Sequence, residues 1–304
     1  MPNTLRAKSV GALALRALSR GDSAVAGTVV NTFANSFYAR TDKDELLFFT
    51  NHSLRSPITV NLDAKSDLEK LVTPLQSLTV KGKQILVGTD TTITLDAAIL
   101  YDDTIEQSSE LNLDFSMIGK SFRIVSVILQ IIDTSQSVLD PHAIAHNSVV
   151  EFACDGVMSL LRPGGEEQFL QAALRIVGLG SGFTPSGDDT LGGFLAVYNS
   201  FASAIGRAPI LLDLHAIEER TSWISAKLLD HMQHLILDEQ VRDLIDSVSD
   251  KNELVLAFES LLPRGHSSGI DIAVGAILAL GLIHDISLNE RRTRTIAEEL
   301  GLSS

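Results

Sequence analysis

Hydrophobic and polar positions follow different patterns in the two parts of the chain. Between residues 27 and 100, short runs rich in β-branched residues end at glycine, asparagine or aspartate, as strands do. Strands are predicted over 28–33, 45–49, 58–62, 84–87 and 91–95. Because no long helix separates them, we predict an antiparallel unit that is barrel-like or sandwich-like.

After an acidic stretch at 102–114, the spacing of apolar residues becomes helical. Helices are predicted over 147–161, 166–177, 188–205, 212–237, 252–262, 270–283 and 289–300, and residues 122–132 fit either a buried helix or a strand. Basic residues among alanines and leucines near the N-terminus predict an amphipathic helix. The sequence therefore predicts an α+β fold, with a β-rich N-terminal domain over 1–112 and an all-α domain over 113–304.

The excess of acidic residues indicates which kinds of partner this protein is not expected to bind. The formal net charge of −14 disfavours nucleic acid and anionic membranes, which are bound mainly through basic patches, and aromatic residues are scarce at 5%. The apolar run 272–283 is too short to span a bilayer, and no signal peptide is evident. Cys154 is the single cysteine, which excludes an intramolecular disulfide. We expect a cytoplasmic protein without a membrane or nucleic-acid partner.

A glycine-rich loop stands between two predicted helices at residues 178–189, with the sequence GLGSGFTPSGDD. Glycines at every second position, among them Gly180 and Gly182, allow backbone conformations that other residues avoid and let a ligand approach the main chain. Thr184 and the adjacent carboxylates of Asp188 and Asp189 follow. This combination indicates a binding site for a polar ligand.

A second loop, PRGHSSGID at 263–271, repeats part of that pattern. Aligned on Ser186 and Ser268, the chain contains two copies of Ser-Gly-x-Asp-x-x-x-Gly, each opening an apolar helix. One interpretation is structural: serine at the N-cap and aspartate three residues on would cap each helix, and the last glycine would let two helices approach. Capping does not explain Asp188 or His266.

The other interpretation places both helix N-termini at one cleft, where their N–H groups bind an anion. Asp188 would then accept hydrogen bonds from an amide NH₂, or would hold Mg²⁺ together with Asp189, and His266 would be an acid, a base or an anion contact. A ligand with an anionic end and an amide end fits best. The predicted catalytic residues are Asp188 and His266, and the predicted substrate-binding residues are Gly180, Gly182, Thr184, Ser186, Gly187, Asp189, Ser267, Ser268, Gly269 and Asp271.

Two other motifs are weaker. Residues 265–269 match the Gly-x-Ser-x-Gly elbow of serine hydrolases, but a predicted helix precedes them where that elbow needs a strand. His231 and His234, with Asp230 and Asp238 nearby, could be metal ligands, although a solvated helix face is the favoured interpretation.

The two loops together resemble those of a known family. GLGSGFTPSGDDTL at 178–191 is similar to the GxGPGLTPSxDDxL signature of the AllH-type subunits of oxamate carbamoyltransferase, and GHSSGID at 265–271 is similar to their GHTSGxD signature. The resemblance extends from about 147 to 282. Ser181 departs from the usual proline of the first signature, and Phe183 departs from its leucine.

The resemblance implies a subunit of an enzyme that transfers a carbamoyl group between oxamate and phosphate. Oxalurate and phosphate would give oxamate and carbamoyl phosphate in purine (allantoin) breakdown, with other carbamoyltransferase subunits as partners. Asp188 would orient the carbamoyl NH₂, and His266 would assist proton transfer or stabilise an oxyanion. Two alternatives stay open: a non-catalytic subunit that docks a partner or a regulatory metabolite, and a metal-dependent hydrolase or lyase.

Overall fold

The computed structural model describes residues 3–19, 25–64, 67–102, 128–129, 134–135, 137–288, 300 and 302. The chain forms two compact units, Met1–Glu106 and Gln107–Ser304. The predicted domain boundary at 112/113 lies outside the described residues, as do most of the segment 122–132 and the helix predicted at 289–300.

The first unit is a closed β-barrel, so the predicted α+β class with a β-rich N-terminal domain is confirmed. Eight strands pair in the order β5-β4-β3-β2-β6-β7-β8-β1, and β1 also pairs with β5, which closes the ring. A ninth strand, β9, runs parallel to β1. The pairs β4–β5 and β1–β8 are also parallel, so the sheet is mixed and the prediction of an antiparallel unit is wrong. The strands are β1 (Asn3–Gly11), β2 (Val25–Phe33), β3 (Ser36–Thr41), β4 (Leu46–Thr50), β5 (Thr59–Leu62), β6 (Ser77–Lys81), β7 (Gln84–Val87), β8 (Thr91–Thr94) and β9 (Ile99–Tyr101).

The N-terminal segment differs from its prediction. Its first residues form strand β1, whose side chains alternate between the surface and the core, and only Ala12–Leu18 is helical (α1). Leu5 and Ala7 of β1 are buried, as are Ala14 and Leu18 of α1. Of the basic residues that suggested one amphipathic helix, Arg6 and Lys8 therefore belong to β1 and Arg16 belongs to α1. At the centre of that core, the rings of Phe37 and Phe49 stack with centroids 4.4 Å apart.

The second unit is helical in its described part. Its α-helices are α2 (His146–Glu151), α3 (Glu166–Ile176), α4 (Ser186–Phe201), α5 (Leu214–Glu218), α6 (Trp223–Gln233), α7 (Glu239–Asp246), α8 (Lys251–Leu261) and α9 (Ser268–Leu288), and α2 continues into a π-helix at Phe152–Val157. The single helix predicted over 212–237 is wrong, because residues 219–222 separate α5 from α6. Helix α7 was not predicted.

Helices α4 and α9 form the centre of this unit. Every residue of α9 from Gly269 to His284 is buried, and α4 is buried over most of its length. By length and composition α9 could cross a membrane, and it is the one such helix in the described part of the chain. However, 94% of its most apolar window is covered by the protein itself, as in a core helix. The helix is longer than the apolar run noticed in the sequence because buried polar residues extend it at both ends.

Candidate functional site

Helices α4 and α9 cross in direct backbone contact at two glycines. A Cβ atom on Gly193 would lie 2.1 Å from the carbonyl oxygen of Ile272, and one on Gly275 would lie 1.8 Å from the carbonyl oxygen of Thr190. Real Cβ atoms do not come so close, so both positions require glycine. Gly193 follows Asp189 by four residues and contacts Ile272, which directly follows Asp271. In the same way, Gly275 follows Asp271 by four residues and contacts Thr190, which directly follows Asp189. The sequence repeat is therefore also a pseudo-twofold structural repeat.

The first loop enters α4 through left-handed backbone. Gly178 has φ +80° and Gly180 has φ +119°, conformations that side chains disfavour. A Cβ on Gly178 would also lie 2.0 Å from the carbonyl oxygen of Arg220, so the loop begins against the turn before α6. The loop ends where the N–H of Gly187 donates to the carbonyl oxygen of Leu179 at 2.8 Å. These constraints fix the loop from both sides.

Asp188 connects this loop to helix α6 through hydrogen bonds. Its carboxylate accepts hydrogen bonds from the N–H of Gly178 at 2.7 Å, from Thr221 Oγ1 at 2.5 Å and from Ser225 Oγ at 2.6 Å. The side chain is 3% exposed, and this burial raises its pKa above the ordinary value although the three hydrogen bonds oppose the shift. Asp188 therefore joins the loop to the start of α6, on the side of α4 that faces α6.

Asp189, the next residue, turns towards the second loop. Its Oδ2 accepts a hydrogen bond from Thr184 Oγ1 at 2.9 Å, and Thr184 Oγ1 lies 3.1 Å from Ser268 Oγ at the start of α9. The residue as a whole is partly exposed. Burial of the carboxyl group raises the pKa of Asp189 to about 7, against the hydrogen bonds from Ser268 and Thr184. Here the two loops meet.

Asp271 is the pseudo-symmetric partner of Asp189. Its Oδ1 accepts the backbone N–H of Val138 at 2.8 Å, and the hydroxyl groups of Ser186 and Ser267 lie close enough to lower its pKa. Burial is the larger effect and raises the pKa of Asp271 to about 6. The residue is 0% exposed, and its Oδ2 has no partner within hydrogen-bond geometry among the described residues. Each aspartate thus faces a hydroxyl group from its own loop and the first serine of the other helix.

The capping interpretation of the first repeat is wrong. Helix α4 begins at Ser186, its N-cap is Pro185, and no side chain caps it. Ser186 and Asp189 do not form a capping box; they face the other helix instead. A side-chain cap is found at α6, where Ser222 accepts the N–H of Ser225 at 3.2 Å.

His266 lies on the second loop and is exposed. The loop is held by the backbone, since the N–H of Gly269 donates to the carbonyl oxygen of Arg264 at 3.0 Å, and by an ion pair between Arg264 and Asp238. The positive charge of Arg264 acts on Asp189, whose pKa it lowers. The structure thus places a basic side chain and a histidine on the loop that faces Thr184 and Asp189.

The weaker metal prediction gains no support from the geometry. Among the described residues, no three or more histidine, cysteine, aspartate or glutamate side chains are grouped as metal ligands. Burial lowers the pKa of His231 to about 4, which keeps the ring neutral. His234 instead contacts the carbonyl oxygen of Asp230 through Nδ1 at 2.8 Å. Asp188 and Asp189 point to different neighbours, so the described geometry does not present them as one Mg²⁺ site.

The structure thus brings together Thr184, Asp189 and Ser268, and on the related side Ser186, Ser267 and Asp271. It separates Asp188 from this group. Three participants were not predicted as site residues: Thr221, Ser225 and Val138. The spacing of Thr221 and Ser225, four residues apart within the helix predicted over 212–237, could have indicated a shared partner, whereas no sequence signal marks Val138.

In class, this is an α+β protein whose candidate site lies where two glycine-rich loops enter a pair of crossed helices. The sequence model of the family described as oxamate carbamoyltransferase subunit AllH matches residues 176–280, about a third of the chain, which contains both loops. The resemblance seen in the two motifs is confirmed by this match. The family name implies a role as a subunit of oxamate carbamoyltransferase. No curated protein and no solved structure matches the chain significantly.

Proposed function

We propose that this chain contributes a substrate site to an oxamate carbamoyltransferase that converts oxalurate and phosphate into oxamate and carbamoyl phosphate, and the reverse, in purine breakdown. The observation that carries the proposal is the contact between Thr184 and Ser268, 3.1 Å apart. It joins the two family motifs, which are 84 residues apart in sequence, at one partly exposed place.

The reaction breaks one C–N bond and forms one C–O bond. A phosphate oxygen attacks the carbamoyl carbon of oxalurate, the bond from that carbon to the oxamate nitrogen breaks, and this nitrogen takes up a proton. Two groups of ligand atoms therefore need recognition: negatively charged oxygens and amide N–H groups. The N-termini of α4 and α9 and the cation of Arg264 favour the oxygens. The carboxylate of Asp189 and the hydroxyls of Thr184 and Ser268 suit the N–H groups.

His266 is the residue we assign to proton transfer. It is exposed on the loop that carries Ser268, and an imidazole can donate a proton to the departing nitrogen near neutral pH. Asp188 receives a different role from the one expected of it. Because three protein donors already occupy its buried carboxylate, we assign it to positioning the first loop and not to substrate contact.

The experiment measures carbamoyl phosphate formed from oxalurate and phosphate by the complex assembled with its partner subunits. We expect His266→Ala to lower kcat by about 100-fold or more, the size typical of a lost general acid. His215→Ala is the matched control, since His215 is also exposed but lies on α5, outside both loops. Full activity in His266→Ala would remove the assignment of His266. No turnover of oxalurate by the correctly assembled complex would remove the proposed reaction.

A further inference from the structure

The crossed helices α4 and α9 form two related halves, one around Asp189 and one around Asp271. The halves differ in the groups that donate hydrogen bonds to the aspartate. In the half built around Asp271, a backbone amide of the chain itself is bound: the N–H of Val138 donates to Oδ1 at 2.8 Å. Val138 is 0% exposed, and its carbonyl oxygen contacts Nδ1 of His146 at 2.8 Å, so the peptide around it is held in place. This half is closed and already holds an amide N–H.

The half built around Asp189 has the same construction without that amide. Thr184 donates to Asp189, and Ser268 lies close enough to lower the pKa of Asp189, as Ser267 and Ser186 lie close enough to lower that of Asp271. Among the described residues, no backbone N–H donates to the Asp189 carboxylate, and Asp189 is a partly exposed residue whereas Asp271 is 0% exposed. The half built around Asp189 therefore has a carboxylate and two neighbouring hydroxyl groups at a partly exposed residue, and no amide N–H from the described residues is bound there.

We propose that Asp189 binds an amide N–H of the substrate in the position that the Val138 amide occupies at Asp271. Asp189 is then the residue that distinguishes an amide or ureido ligand from one of the same shape without N–H groups. The identity of that ligand as oxamate or oxalurate rests on the proposed function, whereas the preference for an amide rests on the two related halves.

The arrangement explains how a carboxylate is accommodated close to an anionic substrate. The amide end of the ligand, which carries the N–H donors, would lie between Asp189 and the negatively charged oxygens. Those oxygens would then lie nearer to Arg264 and the helix N-termini. A carboxylate only accepts hydrogen bonds, so a methyl group in place of the NH₂ would cover it without supplying a donor in that position, which is unfavourable.

Oxamate and pyruvate provide the test, because they have nearly the same shape and the NH₂ of oxamate is a CH₃ in pyruvate. Binding of each to the assembled complex is measured by titration calorimetry at a pH well above the pKa of about 7 of Asp189, so that its carboxylate is ionised. We expect wild type to bind oxamate about 10- to 100-fold more tightly than pyruvate. In Asp189→Asn, Thr184 and Ser268 hold the remaining side-chain oxygen, so an NH₂ faces the ligand. We expect the preference to fall below about threefold.

Two further variants guard against a folding artefact. Thr184→Val keeps the carboxylate but removes the hydroxyl that orients it, and should reduce the preference partly. Asp213→Asn, at the exposed N-cap of α5, should keep the wild-type preference. Circular dichroism of each variant establishes that the helices are intact before binding is compared.

Each result decides between the two proposals. A preference that survives in Asp189→Asn overturns this inference even if the complex turns over oxalurate. Equal binding of oxamate and pyruvate by wild type, or binding of neither, also overturns it. A strong preference for oxamate that Asp189→Asn abolishes supports it, even if oxalurate is not turned over, in which case the proposed reaction alone is wrong.

Discussion

The two units of the molecule bury different kinds of polar side chain. In the described part of the barrel unit, the buried polar residues are neutral: Thr41, Thr50, Ser56, Thr59, Asn61 and Thr91. The helical unit buries the carboxyl groups of Asp188, Asp271 and Asp285, together with Lys227 and His284. Burying an ionisable group is costly unless donors or partners surround it. The difference teaches that the helical unit gives up stability to hold charged groups in fixed positions, as functional sites do.

The largest loss of stability is expected from a side chain added to a glycine at the crossing of α4 and α9. Gly275→Ala would place a Cβ atom 1.8 Å from the carbonyl oxygen of Thr190 and 2.7 Å from the amide nitrogen of Phe194, so the helices must separate. We expect the free energy of unfolding of the helical unit to fall by about 4 kcal/mol, measured by urea denaturation. Gly206→Ala, which meets nothing within 4 Å although φ is +67°, should cost only about 1 kcal/mol. Equal losses would contradict the close crossing.

The second largest loss of stability is expected when the carboxylate of Asp188 is removed. Asp188→Ala leaves the N–H of Gly178 and the hydroxyls of Thr221 and Ser225 without their acceptor in a buried place. We expect a loss of about 3 kcal/mol in the free energy of unfolding. The comparison variant is Asp213→Ala, which removes an exposed N-cap and should cost about 1 kcal/mol. If Asp188→Ala were no worse than this control, Asp188 would not be the anchor of the first loop.

The dependence of stability on pH sharpens the contrast between the units. The pKa of Asp271 is raised from 3.8 to about 6 and that of Asp189 to about 7, so the folded state holds protons that the unfolded chain has released. These two groups should make stability fall as pH rises from about 4 to about 7 and then level off. The pKa of His231, lowered from 6.5 to about 4, offsets part of this fall below about pH 6.5. In Asp271→Asn this fall should be smaller by about 2 kcal/mol, measured as the free energy of unfolding at pH 4.5 and pH 7.5. An unchanged fall would show that Asp271 does not titrate in this range.

The smallest effect is expected in the barrel unit. Phe49→Leu removes the stacking contact with Phe37 but keeps an apolar side chain of similar volume. We expect the free energy of unfolding to fall by about 1 kcal/mol. The assembled complex should form carbamoyl phosphate at the wild-type rate. A large loss of activity with little loss of stability would show that the barrel takes part in the reaction.

Much of the fold could be predicted from local patterns. The β-branched runs gave five of the barrel strands, because a half-buried strand imposes a period of two on the sequence. Strand β1 was missed because its alternation, with Leu5 and Ala7 facing inwards, runs directly into the helix α1, whose alanines and leucines dominate the window. Closure of the barrel depends on pairing between β1 and β5, more than 50 residues apart, which no local pattern reveals.

The meeting of the two loops was predicted from the sequence, but the directions in which the aspartates face were not. The repeat indicated that both loops share one place, and the contact of Thr184 with Ser268 has that form. Asp188 was preferred to Asp189 because capping could explain only the second. Yet Gly193 and Gly275 follow Asp189 and Asp271 by four residues, and residues four apart lie on one face of a helix. The glycines that mark the crossing therefore also marked the aspartates that face it.

The backbone contact between α4 and α9 makes the site sensitive to the angle between them. The crossing lies about five or six residues from each N-terminus, which is a lever arm of about 8 Å at 1.5 Å per residue. A change of about 10° in the crossing angle would move each loop by roughly 1.5 Å, enough to separate Thr184 from Ser268. A partner protein that bound the C-terminal end of either helix could change the crossing angle in this way. It would then separate or join the two loops without contacting them.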